Sequence, residues 1–211
     1  MRAVRQAAAV SSRLRIEGVI GVVPQRHARA RIIAWLIDWC CVIAWAGVLA
    51  AVCVPLYLTG ALHSLPVLAA NALSAVVLVV PVTVGLAALE SSRHAATIGK
   101  RVMRLSVVNN QGARIRFSRA LARNGLKVAA PWLVGHAAVY AITGTSATAA
   151  TPGWVWGLTG AAYVLPVVWI LSLFVASGRT PYDHLTRTAV RRTPRPDTAV
   201  PADQATVALP S

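Results

Sequence analysis

Residues 39–89 read WCCVIAWAGVLAAVCVPLYLTGALHSLPVLAANALSAVVLVVPVTVGLAAL, 51 positions without one Asp, Glu, Lys or Arg. A helix needs about 20 apolar residues to cross roughly 30 Å of hydrocarbon, so this stretch is too long for one span and suits two with a short connection. The connection is Leu58-Thr59-Gly60-Ala61-Leu62-His63-Ser64, where the apolar run breaks. A second block, Val128 to Gly178, is also 51 residues long and free of formal charge, and it breaks between Thr143 and Gly153. The four expected spans are 32–58, 65–89, 126–142 and 154–176. Hydrocarbon offers no partner to a bare N–H or C=O, so only helices or closed barrels cross it. The apolar runs are continuous rather than alternating, which selects helices. The predicted fold class is an all-α membrane protein, a four-transmembrane-helix bundle.

Composition agrees. The 211 residues are 56% hydrophobic and only 13% charged, with a mean hydropathy of +0.61; a soluble domain carries roughly a quarter charged residues. The net charge of +15 raises the question of nucleic acid, and its distribution answers it. Seven of the 21 Lys and Arg fall in residues 1–31, nine in 93–127 and five in 179–195, while the connections at 59–64 and 143–153 hold none. The positive-inside rule then places all three basic segments, and with them both termini, in the cytoplasm. Apart from Phe117 the basic loops lack interleaved aromatics, so they suit anionic inner-leaflet lipid and no nucleic acid partner is expected. Residues 1–25 form a basic cytoplasmic segment, 26–190 the membrane domain, and 191–211 a tail rich in Pro, Ala, Thr and Asp that is expected to be disordered. Val19–Val23 is too short for the apolar core of a signal peptide. Arginine outnumbers lysine 19 to 2, which hints at a GC-rich bacterial source.

Between the second and third spans the pattern changes. Met103, Leu105 and Val107 alternate with Arg104 and Ser106, and Ile115 and Phe117 alternate with Arg114 and Arg116. Asn109-Asn110-Gln111-Gly112 between them is strong turn chemistry. The expectation is a small cytoplasmic β-hairpin, 102–108 with 113–117, whose apolar face rests on the membrane or the helix ends. Ser118 suits a helix N-cap. Trp35, Trp132 and Tyr182 fall near the inner interface, and Pro81 and Pro166 fall inside spans, where each removes a helix hydrogen bond. Cys40, Cys41 and Cys53 lie in the first span and are expected to pack as small hydrophobes. His136, inside the third span, suits packing or an interhelical hydrogen bond. No Cys/His spacing resembles a metal site, and no cofactor is expected.

Only six residues are acidic. Three of them, Asp38, Glu90 and Asp183, lie at or near the inner ends of spans. Arg31 and Asp38 are seven residues apart and share a helix face. A charged Asp in lipid costs about 2.5–3.5 kcal/mol, which demands a partner or a place facing the bundle.

Three stretches carry a resemblance. Arg31-Ile32-Ile33-Ala34-Trp35-Leu36-Ile37-Asp38 resembles the opening signature of the RDD family of bacterial multi-pass membrane proteins, named for one arginine and two aspartates. Glu90 followed by Thr97-Ile98-Gly99-Lys100-Arg101-Val102, Val107-Val108, Gly112 and Arg123-Asn124 resembles its central loop. Gly178-Arg179-Thr180-Pro181-Tyr182-Asp183-His184-Leu185, with Thr188 and Val190, resembles its closing motif. The match covers roughly residues 26–190. It departs from the family pattern at Arg104 and Arg187, where glycine is common, and at Tyr182, where histidine is common.

The resemblance implies that Arg31, Asp38 and Asp183 are the family's named residues, and that Glu90, Thr97, Gly99 and Lys100 are further matches. The family has been linked to transport, including cation/proton exchange. On that reading Arg31, Asp38, Glu90 and Asp183 form a substrate- or ion-binding set near the inner mouth, and Thr97, Gly99 and Lys100 a cytoplasmic loop motif. The alternative is a lock, in which Asp38 pairs with Arg31, Arg179 or Lys100 to fix the helix ends. An inner-membrane transporter of four helices would need a homo-oligomer or a partner membrane protein to enclose a path. A non-transporting scaffold that presents its basic cytoplasmic face to a partner is the other expectation. No enzyme is expected, because no nucleophile–base pair is recognisable and the outer connections are short.

Overall fold

A computed structural model describes residues 27–143, 150–175 and 178–193. The expected N-terminal segment 1–25 and the tail beyond Thr193 lie outside the described residues. Among the described residues, four helices are long and apolar enough to cross a membrane. Helix α1 runs Ala28–Leu58 and α2 runs Val67–Ser91. A short α3, Ile98–Val102, leads to strand β1, Leu105–Asn109. The third long helix is α4, Phe117–Asn124, continued by a π-helical turn Gly125–Ala129 into α5, Ala130–Thr143. Helix α6 is Gly153–Ser172, α7 is the single turn Pro181–Leu185, and β2 is Thr188–Arg192.

The long helices have apolar side chains on nearly every side. Ile43, Val52, Leu58, Val67 and Tyr163 are all more than half exposed. Such surface on four helices of this length suits hydrocarbon. Cys40, Cys41 and Cys53 lie on this exposed surface of α1 rather than in a packed interior. Between helices the polar contacts are few. Asn71 Nδ2 donates to the His136 carbonyl at 3.3 Å, and the His136 ring stands 3.1 Å from Asn71 Oδ1, tying α2 to α5. The interhelical role expected of His136 is the one it has.

Packing is densest at the basic end. A core of Ala34, Ala87, Leu105, Val107, Ile115, Ala120 and Val190 joins α1, α2 and α4 to the strands. The three alanines let backbones approach closely, and the strand residues press their apolar face onto the helix ends. That face is the alternation read in the sequence.

Three expectations change. Strand β1 pairs antiparallel with β2, from Leu105↔Arg192 to Asn109↔Thr188, and not with the expected hairpin arm. The turn itself forms: Gly112 has φ +84° and its amide donates to the Asn109 carbonyl at 3.0 Å. The arm beyond it makes one bridge, Val108↔Arg114, because α4 begins at Phe117 and leaves too few extended residues for a ladder. That helix starts one residue before Ser118 with no side-chain cap from Arg116. Strand β2 likewise takes Arg191 and Arg192 out of the expected tail.

A buried charge network at the basic end

Helix α1 presents Arg31, Ala34 and Asp38 on one face, at i, i+3 and i+7. The middle residue is the contact. Ala34 is 1% exposed, and a Cβ on Gly99 would collide with its carbonyl oxygen. Gly99 is therefore a close-approach glycine that lets α3 lie across α1. Asp38 fixes that crossing. One carboxylate oxygen accepts from the Thr97 hydroxyl at 2.7 Å and the other from the Gly99 amide at 2.8 Å. The N-terminus of α3 thus receives a carboxylate where its bare amides need an acceptor. Thr97 also accepts from the Lys100 amide at 3.4 Å as the N-cap.

Arg31 does not pair with Asp38. It reaches across the bundle end, donating to Asp183 Oδ2 at 2.6 Å and to the Gly178 carbonyl at 2.6 Å. Asp183 lies in α7, where the Thr180 amide donates to it at 3.3 Å and the Thr188 hydroxyl at 3.4 Å. Asp38 likewise makes no ion pair with Arg179 or Lys100; both its oxygens are used by α3, whose own packing brings hydroxyl and amide to them.

The hub is Arg123, a residue the sequence reading noted only within the resemblance. It is 1% exposed. Its Nη1 donates to Glu90 Oε1 and Oε2 at 2.7 and 2.8 Å, while Nε and Nη2 donate to Asp183 Oδ1 at 3.0 and 2.8 Å. One planar guanidinium thereby bridges two carboxylates from α2 and α7. Its carbon also sits 5.1 Å from the centre of the Tyr182 ring. Glu90, fully buried, takes two further donors: Lys100 Nζ and Asn124 Nδ2, the latter at 3.0 Å.

Glu90 and Asp183 between them hold three cations, Arg31, Lys100 and Arg123, so the network itself carries one positive charge in excess. Burial raises the pKa of Asp183, but Arg123 and Arg31 outweigh it and hold the carboxyl well below the usual range. Burial acts on Lys100 in the opposite sense, and although Glu90 resists, its ammonium is lowered to about 8. A basic sequence signal could have pointed to Arg123: it lies one helical turn before Lys127, at the edge of a charge-free block. Among the described residues no group of His, Cys, Asp and Glu is arranged to hold a metal ion.

All seven residues singled out in the sequence, Arg31, Asp38, Glu90, Thr97, Gly99, Lys100 and Asp183, therefore lie together at the basic end, joined by Arg123 and Asn124. No curated protein and no solved structure matches the chain. A family model described as the RDD family matches residues 26–187, which hold every charged member of this network, and the chain belongs to the RDD family.

Proposed function

We propose that this RDD family protein is a multi-pass scaffold of the bacterial inner membrane that holds a basic two-stranded cap on the cytoplasmic ends of its helices and presents it to a partner. One observation carries the reading: all three carboxylates at the basic end are already engaged. Glu90 and Asp183 accept from Arg123, Lys100 and Arg31, and Asp38 from Thr97 and Gly99. A carboxylate that carries a cation must trade its partner for the ion. Stripping a buried carboxylate of its cation costs about 3–5 kcal/mol. The outward side of the cap supports presentation. Arg104, Arg114, Arg116, Arg119, Arg187 and Arg192 are exposed around it, a surface suited to an acidic protein partner at the inner leaflet. The positive-inside distribution of charge supports the cytoplasmic orientation.

The test is flux of sodium and of protons into proteoliposomes holding wild-type protein or Asp38→Asn, with photo-crosslinking in cells from position 116. The expected result is no flux that depends on Asp38, and a crosslinked product, whether a second copy or another protein. Flux that is lost in Asp38→Asn would overturn the scaffold and favour cation/proton exchange.

A further inference from the structure

Beside the network lies a cavity of about 160 Å³, bounded by α1, α2, α5, α6 and α7. Its two walls differ in chemistry. One is aromatic: Trp35, Trp39, Trp132 and Trp169 line it, with Trp39 5.5 Å from both Trp35 and Trp132. The other is cationic, formed by Arg31, Lys100, Arg123 and Lys127, with Asp38 as the one acid in the lining.

Three of those cations are spent on Glu90 and Asp183, and both oxygens of Asp38 are taken by Thr97 and Gly99. Lys127 is different. Among the described residues no carboxylate lies within ion-pair distance of it, and no hydrogen bond engages its ammonium. It is placed there by the backbone. Pro131 cannot donate to the Lys127 carbonyl, and the helix responds with the π-helical turn Gly125–Ala129, in which Lys127 is the middle residue. Glu90 and Asp38 act on Lys127 only from beyond contact distance, and a lysine in a membrane-spanning helix with no carboxylate in contact is costly and marks a binding pathway.

We propose that this cavity binds one anionic amphiphile, its carboxylate or phosphate head on Lys127 and its apolar body among the tryptophans. An aromatic cage can also take a cation, but the surplus of positive lining groups repels one. A neutral apolar guest would leave Lys127 without a partner. A volume of this size takes an apolar group about the size of benzene, which limits the buried part to a short chain or the first carbons of a longer one. The head can belong to a free short-chain acid or to an anionic phospholipid.

The test uses full-length protein in nanodiscs of phosphatidylcholine, with tryptophan fluorescence titrated against hexanoate and hexanol. Hexanoate is expected to give a saturable change, at least tenfold tighter than hexanol. Lys127→Gln should weaken hexanoate at least tenfold and leave hexanol unchanged, and Lys127→Arg should restore hexanoate to within about threefold. Val42→Phe, which fills the cavity wall and keeps Lys127, should weaken both ligands. Replacing part of the phosphatidylcholine by phosphatidylglycerol separates the sources: competition with hexanoate assigns the site to a bilayer headgroup, and no competition assigns it to a free acid. Equal affinity for hexanoate and hexanol, or hexanoate affinity unchanged in both Lys127→Gln and Val42→Phe, would overturn the proposal.

Discussion

Replacing Arg123 with methionine removes the one cation that Glu90 and Asp183 share. Its length and apolar stem are largely kept, so the change is mainly one of charge and hydrogen bonding. Four hydrogen bonds disappear, one to each Glu90 oxygen through Nη1 and two to Asp183 Oδ1 through Nε and Nη2, together with the contact to the Tyr182 ring. Neither carboxylate is left bare. Glu90 keeps Lys100 and Asn124, and Asp183 keeps Arg31, the Thr180 amide and Thr188. The loss is therefore that of one broken buried ion pair rather than the sum of two, about 3–5 kcal/mol. For a chain of this length that corresponds to a Tm lowered by about 6–20 °C. Reversible unfolding in mixed micelles reads the free energy directly. Adding Glu90→Gln should cost about 1–3 kcal/mol less in the Arg123→Met background than in wild type, since the two residues act as one unit. A loss below about 1 kcal/mol for Arg123→Met, or strict additivity of the pair, would refute the claim that Arg123 is the hub.

Arg104 and Arg187 hold φ of +54° and +51°, a left-handed backbone that costs a residue with a Cβ about 1–2 kcal/mol. After the added flexibility of glycine in the unfolded chain, Arg104→Gly and Arg187→Gly should each stabilise by about 0.5–1 kcal/mol in the same unfolding assay. Gly99→Ala meets the backbone of Ala34, which cannot give way as a side chain can, and should destabilise by about 1–3 kcal/mol or more, seen as faster trypsin cleavage after Lys100. Acid should act through Asp183. Its folded pKa lies below the ordinary value of 3.8, so its stabilisation is complete above that value and is lost as pH falls further through the depressed one. Asp183→Asn should flatten this acid limb of the stability curve. Lys100 works at the other end: its pKa of about 8 lies below 10.5, so the unfolded chain binds more protons between the two and stability should rise with pH across that window.

The spans were legible because hydrocarbon excludes charge, and the two 51-residue neutral blocks record that exclusion directly. Their ends were less so. The third long helix begins at Phe117, one residue before the N-cap read at Ser118, and continues unbroken into the span read from 126, since Arg123 is a charge a helix can carry when it faces a protein network. The alternation of Met103, Leu105 and Val107 correctly gave a strand and its buried face. The partner of that strand was hidden, because pairing with Thr188–Arg192 joins segments some eighty residues apart and leaves no local signature. Ion pairing was hidden for the same reason. Arg31 and Asp38 share a helix face, which suggested a pair, but Arg31 instead meets a residue 152 positions away. Arg123 looked like one more interfacial arginine; only the fold shows it enclosed between two carboxylates. The π-helical turn could have been anticipated from Pro131, whose missing N–H falls four residues after Lys127.

A scaffold role requires the three carboxylates at the basic end to be occupied by the protein's own donors. Carbon-13 NMR of the side-chain carboxyls of Asp38, Glu90 and Asp183, followed while sodium is added at constant ionic strength and neutral pH, tests this most directly. Engaged carboxylates should show no saturable displacement with sodium, and their signals should move instead when Thr97, Lys100 or Arg123 is replaced. A carboxyl signal that titrates with sodium in the wild-type protein would contradict the account.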